Sequence, residues 1–300
     1  MILRTAQEVN AFSQRRVTPS LALNPANFPN VEIKMDIVHP RAGKPAFGDP
    51  APLNEALLGL ACDEDREAWE SLSATATMVL SKSGGSIRTI VTGRRIITTG
   101  VYASRKTGCG QPYESMLEKA FFMLCEVDTD VVDYRAQPFR FEFVVDGIKR
   151  AYLPDAVTLR SDGTVEVIEI KRDPGDLRDS EYRLKLQAVR EICDRIGWRF
   201  HILFRTDLTE PSRFYRAVED VQSWAFTKFS DAEVFEVVRQ LRQHGQLPLG
   251  QLADSFDERP RGLAKLKVMM VGRIVRLDLT NISDSLTPVT LVEGPQEELQ

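Results

Sequence analysis

Residues 113–126 (YESMLEKAFFMLCE) place Leu117, Ala120, Phe121 and Leu124 at i, i+3, i+4, i+7, the spacing of an amphipathic helix. Pro112 suits the first turn of such a helix. The period then changes from 3.6 to 2. PFRFEFVV (138–145), IKRAYLPDAVTLR (148–160) and TVEVIEIK (164–171) read as a three-strand meander, with turns at Asp146-Gly147 and Ser161-Asp162-Gly163. A second helix is expected over 179–196, where Leu186, Val189, Ile192, Cys193 and Ile196 form one stripe and Gly197 supplies the stop. RFHILFR (199–205) reads as a further buried strand, so strand, helix and strand imply a right-handed parallel crossover.

The order helix, three-strand meander, helix, strand predicts an α/β core. The flanks differ from it. Residues 1–94 form an N-terminal region of unassigned fold. It includes a Pro- and Gly-rich loop at 38–52, a helical pattern near 53–72, and a break at SKSGGS (81–86). One or two basic strands are expected within 86–108. The core domain is placed at 95–210. Over 211–290, Ser230-Asp231-Ala232-Glu233 reads as a capping box opening a helix. A short helix near 247–256, a third helix over 261–272 and an alternating strand over 273–280 follow. Three helices and a β-wing describe a winged-helix-like domain, whose third helix carries Arg259, Arg261, Lys265 and Lys267. Such a helix either enters a DNA groove or presents a solvated basic face on a protein-docking domain. Residues 291–300 are expected to be a disordered tail.

Composition adds constraints more than direction. Hydrophobic residues make up 43% and charged residues 27% of the 300, as in ordinary globular proteins. The net charge of -4 does not mark the whole chain as a nucleic-acid binder. The four cysteines form no CxxC pair and the three histidines have no ligand spacing, so zinc is not expected. The first residues lack an apolar signal core and no apolar run reaches spanning length, which leads to the expectation of a cytoplasmic protein with no membrane association.

The chemistry lies in YLPDAVTLRSDGTVEVIEIKRD (152–173), where Asp155, Glu169 and Lys171 sit on strands that otherwise look like core. Register decides whether they meet. A two-residue turn would pair Ser161 with Thr164 and put the charges on opposite faces. A three-residue turn with Gly163 in the left-handed position pairs Arg160 with Thr164, so that paired numbers sum to 324 and Asp155 faces Glu169. Lys171, two residues along, then shares that face. Opposed carboxylates repel unless a cation lies between them, so this register predicts a metal. The two carboxylates and the Ile170 carbonyl are hard oxygen donors suited to Mg²⁺ or Mn²⁺. Such a metal would activate a water against a phosphodiester, with Lys171 holding that water or neutralising developing charge. A further carboxylate is expected from the preceding helix, either Glu114 or Glu118. Arg135, Lys149, Arg150, Arg183 and Lys185 flank the region and read first as solvated surface charges.

Pro154-Asp155 followed by Glu169-Ile170-Lys171 resembles the PD-(D/E)xK nucleases, with a restriction-endonuclease-like core. The chain also resembles the TnsA-like endonuclease subunits of heteromeric transposases. The residues that carry this are SRKTG (104–108), Ser115-Met116-Leu117-Glu118, Glu126-Val127-Asp128 with Val131 and Val132, and Gln137-Pro138-Phe139. The resemblance covers about residues 95–207. It implies that Glu118 is the helix carboxylate of the site, directly or through water at the metal, with Glu114 a first-turn residue and Gln137 in a supporting role. It further implies a bacterial protein that binds DNA and hydrolyses one strand at transposon 5′ ends. The implied partners are a TnsB-like DDE transposase and an AAA+ regulator. A restriction, defence or repair nuclease on the same core is the alternative within the superfamily. A non-catalytic DNA-binding or scaffold protein acting through the winged helix is the alternative outside it.

Overall fold

The computed structural model describes residues 98–145, 147–280 and 284–292, together with 33–38, 53, 57, 76–81, 86 and 87. Most of the loop expected at 38–52, the helical pattern after 57, the 82–85 break and the tail beyond 292 lie outside the described residues. The strands are β1 Ile33–Val38, β2 Ala76–Ser81, β3 Gly100–Ala103, β4 Gly110–Tyr113, β5 Val131–Ala136, β6 Phe139–Val145, β7 Ile148–Tyr152, β8 Ala156–Arg160, β9 Val165–Lys171 and β10 Arg199–Phe204. Helix α1 spans Met116–Val127, between β4 and β5, and α2 spans Ser180–Arg195, between β9 and β10. Helices α3 Arg205–Thr209, α4 Ser212–Gln222, α5 Asp231–His244, α6 Leu249–Ala253 and α7 Arg259–Val271 follow, with strands β11 Gln246–Pro248, β12 Val275–Leu277 and β13 Pro288–Leu291.

The expected three-strand meander is divided. Residues 148–160 form two strands, because Leu153 and Pro154 interrupt them and Pro154 has no N–H for a ladder. β7 stays with β6 in a sheet ordered β1-β2-β6-β7, while β8 enters a sheet ordered β10-β9-β8-β5. The strands β1 and β2, from the region expected to be an N-terminal extension, are thus bonded into the same sheet as β6. Strand β5, in a segment for which no strand was predicted, pairs antiparallel with β8. Pro112 lies in β4, opposite Val101, and not in a helix. The parallel pairing of β10 with β9 across α2 agrees with the expected crossover.

Alternation along β8 and β9 assigns their faces. Val157, Val165 and Val167 pack with Leu186 and Val189 of α2, while Ala156, Ile168 and Ile170 pack with Phe121 and Phe122 of α1. The sheet is therefore sandwiched between the two helices, and each strand is apolar on both faces.

The C-terminal elements run helix, strand, helix, helix, strand, strand, with sheet order β11-β13-β12. The capping box at Ser230 is formed: Ser230 N–H donates to Glu233 Oε2 at 2.8 Å, and Ser230 Oγ accepts from Glu233 N–H at 3.4 Å. This unit shares a core with α1, since Met123 and Val127 pack with Val221, Leu241, Leu266 and Met269. Arg276 adds polar ties, donating to Thr129 Oγ1 at 2.8 Å and Asp130 Oδ1 at 2.5 Å.

Candidate active site

The turn between β8 and β9 takes the three-residue form. Arg160 N–H donates to the Thr164 carbonyl at 2.9 Å, Gly163 N–H donates to the Arg160 carbonyl at 3.0 Å, and Gly163 has φ of 82°. A side chain there would be strained by the left-handed backbone, which is why glycine occupies it. The pairs Ala156↔Ile168, Val157↔Val167, Thr158↔Glu166 and Leu159↔Val165 follow. Continuing that register by one residue sets Asp155 opposite Glu169. Asp155 N–H donates to the Ile168 carbonyl at 3.1 Å, and its Oδ2 accepts from Ile170 N–H at 2.6 Å. The Glu169 carboxylate reaches Tyr182 of α2. The β5–β8 register ends at Ala136↔Ala156, and Gln137 follows directly after β5.

Glu118 arrives from α1. Ser115 is the N-cap of that helix and its Oγ accepts from Glu118 N–H at 3.1 Å. The Glu118 carboxylate closes the cap, accepting from Ser115 Oγ at 2.9 Å and Glu114 N–H at 2.8 Å. Glu114 thus precedes the N-cap and is not a first-turn residue. Glu118 is only 7% exposed and close enough to Asp155 and Lys171 for each to feel its charge. Burial raises its carboxyl, against the lowering effect of its two cap donors. Burial, with Glu169 and Glu118 nearby, pushes the Asp155 carboxyl well above its usual range.

Two residues not anticipated from the sequence complete the site. Tyr152, at the end of β7 and fully enclosed, donates from its hydroxyl to Glu169 Oε2 at 2.8 Å. Tyr182, in the first turn of α2, donates to Glu169 Oε1. Lys171 pairs with that same Oε1 and lies 5.1 Å from the centroid of the Tyr182 ring, with Lys185 at 4.8 Å from it. Burial works to lower the Lys171 ammonium pKa, but Glu169, Tyr182 and Asp155 outweigh it and hold the group charged. The sequence signal for Tyr152 was its place three residues before Asp155. Tyr182 gave none, because it comes from a separate helix.

The SRKTG segment holds α1 in place. Lys106 donates to the carbonyls of Cys125 at 2.6 Å, Asp128 at 2.6 Å and Val131 at 2.9 Å, closing the helix C-terminus. Ser104 donates to the buried Glu126, which also accepts from Tyr134 at 2.8 Å. Arg105 reaches across to the Ala225 and Thr227 carbonyls at 2.8 and 2.7 Å. The motif thereby fixes the helix that carries Glu118.

Other expected residues fall elsewhere. Gln137 is 4% exposed with φ of 47°, and its Oε1 accepts from Ser86 Oγ at 3.4 Å. Arg135 is buried and bonded to Cys109, not a surface charge. The four basic residues of α7 are engaged with acids. Arg259 pairs with Asp254 at 3.1 Å, Arg261 with Glu258 at 3.2 Å, Lys265 with Glu233, and Lys267 with Asp220 at 2.7 Å. Lys267 is 8% exposed, and from Gly262 onward most of α7 is covered by neighbouring helices. Lys265 and Lys267 are thus the less exposed pair, while Arg259 and Arg261 remain exposed.

Hard oxygen donors, buried and mutually repelling, fit a divalent cation by their chemistry. Among the described residues, however, no three His, Cys, Asp or Glu side chains already converge as a ligand set. The oxygens of Glu118 and Glu169 are instead engaged by the cap donors and by Tyr152, Tyr182 and Lys171. The comparison with known families bears directly on this segment. Residues 128–204 match the TnsA-like endonuclease N-terminal domain. The TnsA-like resemblance is thereby upheld over these residues. The matched stretch runs from just after α1 to the end of β10, so it contains Gln137, Tyr152, Asp155, Glu169, Lys171 and Tyr182 and leaves out Glu118. No curated protein matches the chain. Among the described residues, no helix is long and apolar enough to cross a membrane.

Proposed function

We propose that this chain is a metal-dependent DNA endonuclease subunit of a transposition system, hydrolysing a phosphodiester at transposon 5′ ends beside a separate TnsB-like DDE transposase. The observation that carries the reading is the 324 register, which sets Asp155 against Glu169 within the segment that matches the TnsA-like endonuclease family. Asp155, Glu169 and the Ile170 carbonyl would hold Mg²⁺ or Mn²⁺, with Glu118 completing the acidic wall directly or through water. When bound, the cation supplies an acidified water and charge stabilisation at the phosphorus. The chain's own part is positioning. Ile170 N–H fixes one Asp155 oxygen and leaves the carboxyl's orientation set. Lys171, kept charged by Glu169, stands where a phosphate's negative charge would be neutralised. The β8–β9 strands and α1, locked at both ends, hold these groups rigid.

The C-terminal unit is read as a winged-helix domain from its helix, strand, helix, helix, strand, strand order. With Lys265 and Lys267 paired inward, it serves protein docking better than groove reading. An AAA+ regulator is the kind of partner the resemblance supplies, and the net charge of -4 agrees with DNA affinity lent by partners. The test is to incubate transposon-end DNA with the DDE-type transposase, Mg²⁺ and either the wild-type chain or Lys171→Ala. Wild type should cut the 5′ strand and Lys171→Ala should leave it intact. A 5′-strand cut of equal yield in both would sink the assignment.

A further inference from the structure

The grip on Glu169 is unequal on its two oxygens. Oε2 is held by Tyr152, whose ring is 2% exposed and packs edge-on to Phe200 at 6.1 Å between centroids. Oε1 is held by Tyr182 and Lys171, both only partly buried. Tyr182 sits in the first turn of α2, directly after the exposed 173–180 connection, whose only well-covered points are partial. One hydroxyl is thus locked by the core, and the other belongs to a partly exposed ring.

The Tyr182 hydroxyl on Oε1 competes with a cation for that oxygen. We infer that Tyr182 is a displaceable placeholder on Glu169: its hydroxyl occupies the Oε1 position that a divalent cation takes, while Tyr152 keeps Oε2 fixed throughout. This rests on the metal-dependent reading above. The placeholder has a physical purpose. A buried carboxylate without donors carries a large desolvation cost, and one facing other carboxylates carries repulsion as well. Tyr182 satisfies the oxygen in the cation-free chain, and its ring keeps Lys171 beside the site. When the cation arrives, the hydroxyl turns to solvent, where water replaces its bond. Tyr182 is therefore a positioning residue that sets cation affinity, and Tyr152 is one that sets the orientation of Glu169.

The test measures Mn²⁺ binding by calorimetry, without DNA, on wild type, Tyr182→Phe and Tyr152→Phe, each first checked for a cooperative melt. Removing a competing hydrogen bond to a carboxylate should tighten Mn²⁺ binding by roughly tenfold in Tyr182→Phe. Tyr152→Phe should weaken it, because Glu169 loses its fixed support. Tyrosine difference absorbance gives a second readout: Mn²⁺ should change it in wild type and change it less in Tyr182→Phe. Saturable binding of equal or lower affinity in Tyr182→Phe overturns the placeholder and leaves the metal-dependent reading standing. No saturable Mn²⁺ binding to wild type overturns both.

Discussion

Replacing Asp155 by Asn should make the metal-free protein more stable while removing its function. Carrying the β8–β9 register one residue past Ala156↔Ile168 sets Asp155 across from Glu169, and directly opposed residues have Cβ atoms about 5 Å apart. Two unit charges at about 5 Å in an effective dielectric of about 20 repel by about 3 kcal/mol. Lys171 offsets part of this, since it pairs with Glu169 and lies near Asp155. An Asn at 155 keeps an oxygen to accept from Ile170 N–H and deletes the charge. A gain of about 1–2 kcal/mol follows, or a rise in Tm of roughly 2–6 °C. The pH dependence has a definite sign. The folded Asp155 pKa lies above its unfolded value of about 3.9, so the folded state holds a proton that the unfolded state releases. Wild-type stability is therefore lost as pH rises above the unfolded value, so the advantage of Asp155→Asn is smaller at about pH 4 than at about pH 8. The assay is thermal or urea unfolding in chelator at both pH values, repeated with millimolar Mg²⁺. Mg²⁺ should raise the wild type and leave Asp155→Asn unchanged. A variant less stable than wild type at pH 8 without metal, or one stabilised equally at both pH values, would refute this reasoning.

Lys106→Met should destabilise by about 3 kcal/mol in urea melts, because it strips the donor from two carbonyls at the end of α1 and one at the start of β5; a loss under about 0.5 kcal/mol would show that water replaces it. Gly163→Ala should cost about 1 kcal/mol from backbone strain alone, since nothing lies within 4 Å of an added Cβ, and a neutral result would mean that the turn is not left-handed. Lys267→Ala should lower the melting temperature by removing the buried partner of Asp220, with no larger change in DNA affinity than Arg261→Ala produces in a gel-shift titration.

The site's register was legible because it depends on local chemistry. A Ser-Asp-Gly turn admits few geometries, and a period of two carries its consequence five residues away to Asp155 and Glu169. The cap at Ser230 was likewise read, since it uses neighbours in sequence, whereas the one at Ser115 was passed over when the helix was started at Pro112. What was missed depends on distant partners. The tyrosine grip joins β7, β9 and α2. The pairing of Lys265 and Lys267 with Glu233 and Asp220, on other helices, left no sequence signal either. The break at Pro154 was legible and overlooked: a proline inside an apparent strand marks an interruption, and here it sends β7 and β8 into different sheets.

The central claim is that Asp155 and Glu169 form one metal-dependent hydrolytic centre. Nicking of supercoiled plasmid with Mg²⁺ or Mn²⁺, with the partner transposase present, compares wild type with Asp155→Ala. The account predicts nicks bearing 5′-phosphate and 3′-hydroxyl ends in wild type, abolished by chelator, and a rate lower by on the order of 10³-fold or more in Asp155→Ala. Equal nicking by the two proteins would contradict it.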